Sequence, residues 1–100
     1  MPPSEDHVRF VIVLSKTGDA PLAPETIRRH IEHLRALDRD GSLVLCGPFA
    51  DHPSGMVVVK AKDKAAAEAI ARADPFVREG VRTFEVRTWL LACAENGSLG

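Results

Sequence analysis

Four histidines, at positions 7, 30, 33 and 52, are the side chains of this 100-residue chain best suited to moving protons near neutral pH. His30 has the most informative setting. At about 100° per residue, Ile27, Ile31, Leu34 and Leu37 fall on one helical arc. His30 sits inside that arc, whereas Arg28, Arg29, Glu32, Arg35 and Arg39 point the other way. An inward imidazole tends to be neutral and able to take up a proton, unless a carboxylate beside it restores the charge. The ordinary alternative is a core histidine satisfied by a neighbour. His33 lies at the edge of the arc and reads as a half-exposed flank residue. His52, between Asp51 and Pro53, is a loop residue able to line the mouth of a cleft.

Other chemistries find little footing. The histidines lack the paired spacing of a zinc site, so no metal is expected. Gly47-Pro48 and Ser54-Gly55 form neither a P-loop nor a dinucleotide fingerprint, which implies no nucleotide or flavin and no cofactor at all. Ser15, Ser42 and Ser54 stand in no nucleophile elbow. Cys46 and Cys93 are too far apart for a disulfide framework and are expected to be buried as small apolar residues. Thirteen basic against fourteen acidic residues, without a block of one sign, argue against a nucleic-acid footprint, and five aromatics with no tyrosine supply no base-stacking platform. No stretch approaches a membrane span or a secretion leader, so the expectation is a cytoplasmic protein that touches no membrane. The length suits one domain, residues 1–100, with loose ends over 1–7 and 94–100.

The elements that must position His30 follow from periodicity and punctuation. Val8 to Leu14 is a nearly unbroken β-branched and aromatic run, a buried strand. A helix from Pro24 to Asp40 follows, ended by Gly41. Ser42 to Cys46 and Met56 to Lys60 read as the second and third strands, joined by a loop over Gly47–Gly55. Asp63 caps an alanine-rich helix to Ala73, with Ile70 as its one large anchor. Pro75 forces that helix to stop, and Asp74 can cap a short new turn that leaves at Gly80. Thr83 to Leu90 alternates as a fourth strand, with Phe84, Val86, Thr88 and Leu90 on one face. The order strand, helix, strand, strand, helix, strand is that of an α+β, ferredoxin-like sandwich with an antiparallel four-stranded sheet. Two helices cover one sheet face only, yet the first three strands are apolar at nearly every position. A second copy of the chain is the expected cover for the other face, giving a homodimer.

Three segments together resemble a known family: His30-Ile31-Glu32-His33-Leu34 with Asp38-Arg39-Asp40-Gly41, then Leu43-Val44-Leu45-Cys46-Gly47-Pro48-Phe49, then Ala73-Asp74-Pro75-Phe76 with Gly80-Val81. They are similar, in the same order, to the YciI-like (YCII-related) family. The resemblance implies a ferredoxin-like fold that pairs into a dimeric α/β barrel, with a histidine and an aspartate as catalytic centre. These land on His30 and Asp74. Asp74 is equally well explained as a plain helix cap.

Geometry allows the pair to meet. With the two helices taken as parallel, His30 lies about 9 Å along the first and Asp74 about 15 Å along the second, a gap two side chains can bridge. Asp74 would then fix the tautomer of His30 and make it a competent general base or acid. The catalytic reading is a small cofactor-free enzyme acting on a small, partly aromatic or enolisable molecule, by elimination or isomerisation. Phe49 and Phe76 would be the walls of its site, and Gly47-Pro48 would let backbone approach the substrate. The alternative is a non-catalytic dimeric module in which the same pair tunes a small-ligand site.

Overall fold

The computed structural model describes residues 5–19 and 21–99. Strand β1 (Val8–Lys16) is followed by helix α1 (Pro24–Arg39), the strands β2 (Leu43–Pro48) and β3 (Ser54–Val59), helix α2 (Lys64–Ala73), the single turn α3 (Pro75–Arg78) and strand β4 (Arg82–Leu90). The sheet order is β2-β3-β1-β4, and every neighbouring pair is antiparallel. This is the ferredoxin-like arrangement expected from the element order.

Local chemistry sets the boundaries. Pro24 opens α1 at its first position, and Gly41, at φ +84°, ends it in the left-handed region that favours glycine. The Asp63 carboxylate accepts the Ala66 N–H at 2.8 Å and caps α2. All four strands run one or two residues past the expected ends at one side or the other. β2 takes in Gly47 and Pro48, placed in the loop by sequence. Gly55 pairs with Pro48, and a Cβ at Gly55 would sit 2.8 Å from the Gly47 carbonyl oxygen, so glycine is required for the two strands to lie this close.

The helix side of the sheet holds the core: Phe10, Ile12 and Leu14 of β1, Val57 and Val59 of β3 and Val86 of β4, closed by Leu37 of α1 and by Ala67 and Ala71 of α2. Each large apolar side chain contributes about 1.5–3 kcal/mol by leaving water. The alanines let α2 lie close to the sheet, with Ile70 partly buried beside them. On β4 only Val86 is buried; Phe84 is half-buried, and Thr88 and Leu90 are exposed beyond the helices' reach.

Several expectations are corrected. Cys46 is exposed and Cys93 half-buried, because β2 is an edge strand with open space over it and Cys93 lies beyond the end of the sheet. Ile27 and Ile31 are exposed, since they border open space instead of packed core side chains. The two helices run in opposite senses, because the strands they follow, β1 and β3, are antiparallel. The stretch expected to be a loose tail carries a short 3-10 turn, Ala94–Asn96, tied by the Asn96 Nδ2–H donating to the Leu91 carbonyl at 2.7 Å. Residues 1–4 and Gly100, also expected to be loose, lie outside the described residues.

Candidate active site

His30 and Asp74 meet. With the carboxylate ionised and able only to accept, the His30 Nδ1–H donates to it, at 2.8 Å from Oδ1 and 3.0 Å from Oδ2. Antiparallel helices bring this about more directly than parallel ones would. Asp74 lies just past the C-terminal end of α2, at the end of the layer where α1 begins, and His30 is about two turns into α1. Pro75 then matters twice. It stops α2, and it opens α3, whose cap is Asp74 itself: Oδ1 also accepts the Phe76 N–H at 2.9 Å. The carboxylate is thus anchored by its own turn while it grips the ring. The His30 side chain is 13% exposed and that of Asp74 4%.

A second link holds α1 to the exit of α3. Thr26, buried one turn before His30, donates its hydroxyl to Glu79 Oε1 at 2.9 Å, and Arg29 donates to Oε2 at 2.7 Å. These two donors hold the Glu79 carboxyl below its ordinary value of 4.5. Phe76 completes the frame, its ring stacked on the His30 imidazole at 3.8 Å between centroids and 7° between planes. The Nδ1 side of the imidazole is therefore occupied and one ring face covered. Nε2 has no hydrogen-bond partner among the described residues and is not a buried unsatisfied atom, so it opens on the adjoining cleft.

That cleft has a volume of about 690 Å³, within the range usual for small-molecule sites. Its apolar wall on α1 is Ile27, Ile31 and Leu34, which explains why two of these are exposed: they face the cleft instead of the core. Gly47, Pro48 and Phe76, expected at a substrate site, line it; Phe49 does not, and its ring is exposed outside. β2 continues through Pro48, and this pairing carries Phe49 beyond the rim. His52 lines the mouth, its Nδ1 2.7 Å from the Ser54 hydroxyl. Sequence reasoning missed Lys16 and Arg82, which also line the cleft and are register partners on β1 and β4. The available signal was a basic residue at each strand end that the extended pairing brings together. Among the described residues no group of three or more His, Cys, Asp or Glu is placed to hold a metal ion, and no helix is long and apolar enough to cross a membrane.

His33 is half-buried on the α2 side of α1. Burial pushes its pKa below the ordinary 6.5, and the His30 ring adds to this, while Asp74 and the Ile70 carbonyl act in the opposite direction. With the folded value below the unfolded one, the unfolded chain binds the proton first. The contribution of His33 to stability is therefore intact above pH 6.5 and falls as the pH drops from there through the folded value. His33→Gln is expected to lose less stability than the parent between pH 7 and about pH 5, measured by urea unfolding across that window. Parallel losses in the two proteins would show that His33 has no part in it.

Comparison with known proteins agrees with this architecture. The chain is 33% identical over 67 residues, 67% of its length and 79% of the relative's, to the uncharacterized protein YjpA of Bacillus subtilis (strain 168). Its fold is similar to that of the 5-chloro-2-hydroxyhydroquinone dehydrochlorinase TftG of Burkholderia phenoliruptrix AC1100, solved in complex with 2,5-dihydroxybenzoquinone. That likeness has a TM-score of 0.56 and covers 80% of this chain and 92% of that one. At 18% sequence identity it speaks for the fold alone. A family model described as the YCII-related domain matches residues 8–90, a span that includes all four strands, both long helices and the paired His30 and Asp74. On that match, the chain belongs to the YCII-related domain family.

Proposed function

We propose that this protein is a small cofactor-free enzyme in which His30 moves a proton on a small, aromatic or enolisable molecule held in the cleft. The observation that carries the reading is the Nδ1–Asp74 hydrogen bond at 2.8 Å, which leaves Nε2 as the ring atom that faces the cleft. With the proton on Nδ1, Nε2 carries a lone pair and acts as the base. It takes a proton from a carbon next to a carbonyl, and the C–H electrons become the enolate. The imidazolium that forms is stabilised by the Asp74 carboxylate. The enolate then either expels a leaving group, which is elimination, or recovers the proton at another carbon, which is isomerisation. Asp74 acts through His30 as a positioning residue. TftG carries out a dehydrochlorination, an elimination, and by fold analogy this favours elimination as the first class to try.

The test is turnover, and deuterium wash-in from D₂O, on a panel of hydroxylated quinones and 1,3-diketones. The parent is expected to exchange or convert at least one of them, and His30→Gln to lose about 10²–10⁴-fold in rate with unchanged unfolding. A ligand that binds in the cleft with no exchange in the parent, or exchange that survives His30→Gln, would make the protein a binding module instead.

The active form is proposed to be a homodimer formed through the sheet face away from the helices. Val11 and Val13 of β1, Leu45 of β2 and Trp89 of β4 share that face by register, with Arg9, Glu85 and Arg87 beside them, and Leu45 and Trp89 are 67% and 47% exposed in the single chain. A second copy is the natural cover for an apolar surface of this kind. Sedimentation at micromolar concentration should give twice the chain mass, and Val13→Glu should return the chain mass. A parent that sediments as a monomer rules the dimer out.

A further inference from the structure

One cation in the cleft has no carboxylate to answer it. Arg28, Arg29, Arg72 and Arg87 each pair with a glutamate. Arg82 makes no ion pair among the described residues, although it is half-buried and lines the cleft. Its one side-chain hydrogen bond among the described residues donates from Nη1 to the carbonyl of the adjoining Val81 at 2.8 Å, and its guanidinium carbon lies 5.6 Å from the Phe76 ring centroid. A guanidinium has five donors, so most are left for a ligand. Its register partner Lys16 lies at the rim, where the fully exposed Asp19 carboxylate is 3.8 Å from its ammonium and answers that charge. Arg82 is therefore the cation of this end whose charge is left over.

Its position relative to His30 gives that charge a use. The His30 imidazole stacks on Phe76, and the Arg82 guanidinium lies over the same phenyl ring. Base and cation thus flank one aromatic side chain, and all three line the same cleft. Ile27, Ile31, Leu34 and Pro48 give the cleft apolar walls, with His52 and Ser54 as polar lining. A planar guanidinium in such surroundings matches a carboxylate, which it can bind through two parallel N–H···O bonds. We infer that Arg82 is the anion-recognition group of the cleft, and that its ligand is a flat apolar molecule carrying one carboxylate. The inference rests on the proposal that the cleft beside His30 binds a small molecule, and it names the chemical class of that molecule.

The test uses the full chain and two probes of equal shape, 2-naphthoate and its neutral amide 2-naphthamide, followed by NMR titration of the backbone amides. Naphthoate should shift His30 and Phe76 and bind at least about 10-fold tighter than the amide, as expected for a charge-assisted hydrogen bond. Arg82→Gln should weaken naphthoate about 10–100-fold and leave naphthamide unchanged, while Arg82→Lys, which keeps the charge, should recover part of the loss. No naphthoate binding to the parent, shifts confined to another surface, equal affinity for acid and amide, or an Arg82→Gln that binds as the parent does would each overturn the assignment. Because the readout is binding, it stands apart from the turnover test. Loss of naphthoate affinity in Arg82→Gln together with normal exchange in His30→Gln would keep the anion site and discard the proton-transfer reading.

Discussion

Asp74→Asn should slow proton transfer by about 10²-fold and leave the fold in place. The amide oxygen of asparagine can still accept the Phe76 N–H, so the cap of α3 survives. What is lost is the negative charge 2.8 Å from Nδ1, which opposes the positive charge that develops on the ring as Nε2 takes the proton. The tautomer is disturbed as well. An asparagine whose NH₂ turns toward Nδ1 donates to it, and the ring proton then moves to Nε2, where it blocks the base. Rate and tautomer should change together, and ¹⁵N chemical shifts of the His30 ring report the second directly. A variant with the parent rate would show that the carboxylate contributes nothing to the chemistry.

Asp74→Ala should cost stability that the asparagine variant mostly keeps, by about 2.5–4 kcal/mol. The sum has two parts: roughly 1 kcal/mol for a lost cap and about 1.5–3 kcal/mol for a lost hydrogen bond to a charged group. Both parts fall on one side chain, because the same carboxylate accepts from Phe76 and from His30. Urea unfolding at pH 7 should show a lower midpoint with an unchanged slope. A loss under about 1 kcal/mol would mean that the turn and the ring stay in place without their shared acceptor.

The phase of α1 turned His30 inward and the proline stop placed Asp74 at the end of α2, but it was the family resemblance that named the two as partners. The element order was legible from short-range rules of the same kind. What was not legible depends on where whole elements lie. The apolar stripe of α1 has the right period, but periodicity does not say whether Ile27 and Ile31 meet a core or a cleft. Taking the helices as parallel was an error of topology, corrected by the antiparallel β1–β3 pair. Cys46 has the composition of a core residue, and only its place on an edge strand exposes it. Arg82 was not picked out because what distinguishes it is the lack of an ion-pair partner among the described residues, which a sequence cannot show.

The edge strand has one more consequence. β2 is short, its pairing slips between Leu43 and Leu45, and it ends in Pro48, which has no N–H to offer. A further strand arriving from another molecule needs an even row of donors and acceptors, and this row is broken near its start and blunted at its end. The opposite edge, β4, carries Arg82, Glu85 and Arg87 along its length, where an incoming strand would have to accommodate their charges. Growth of the sheet sideways into open-ended assemblies is thereby discouraged at both margins.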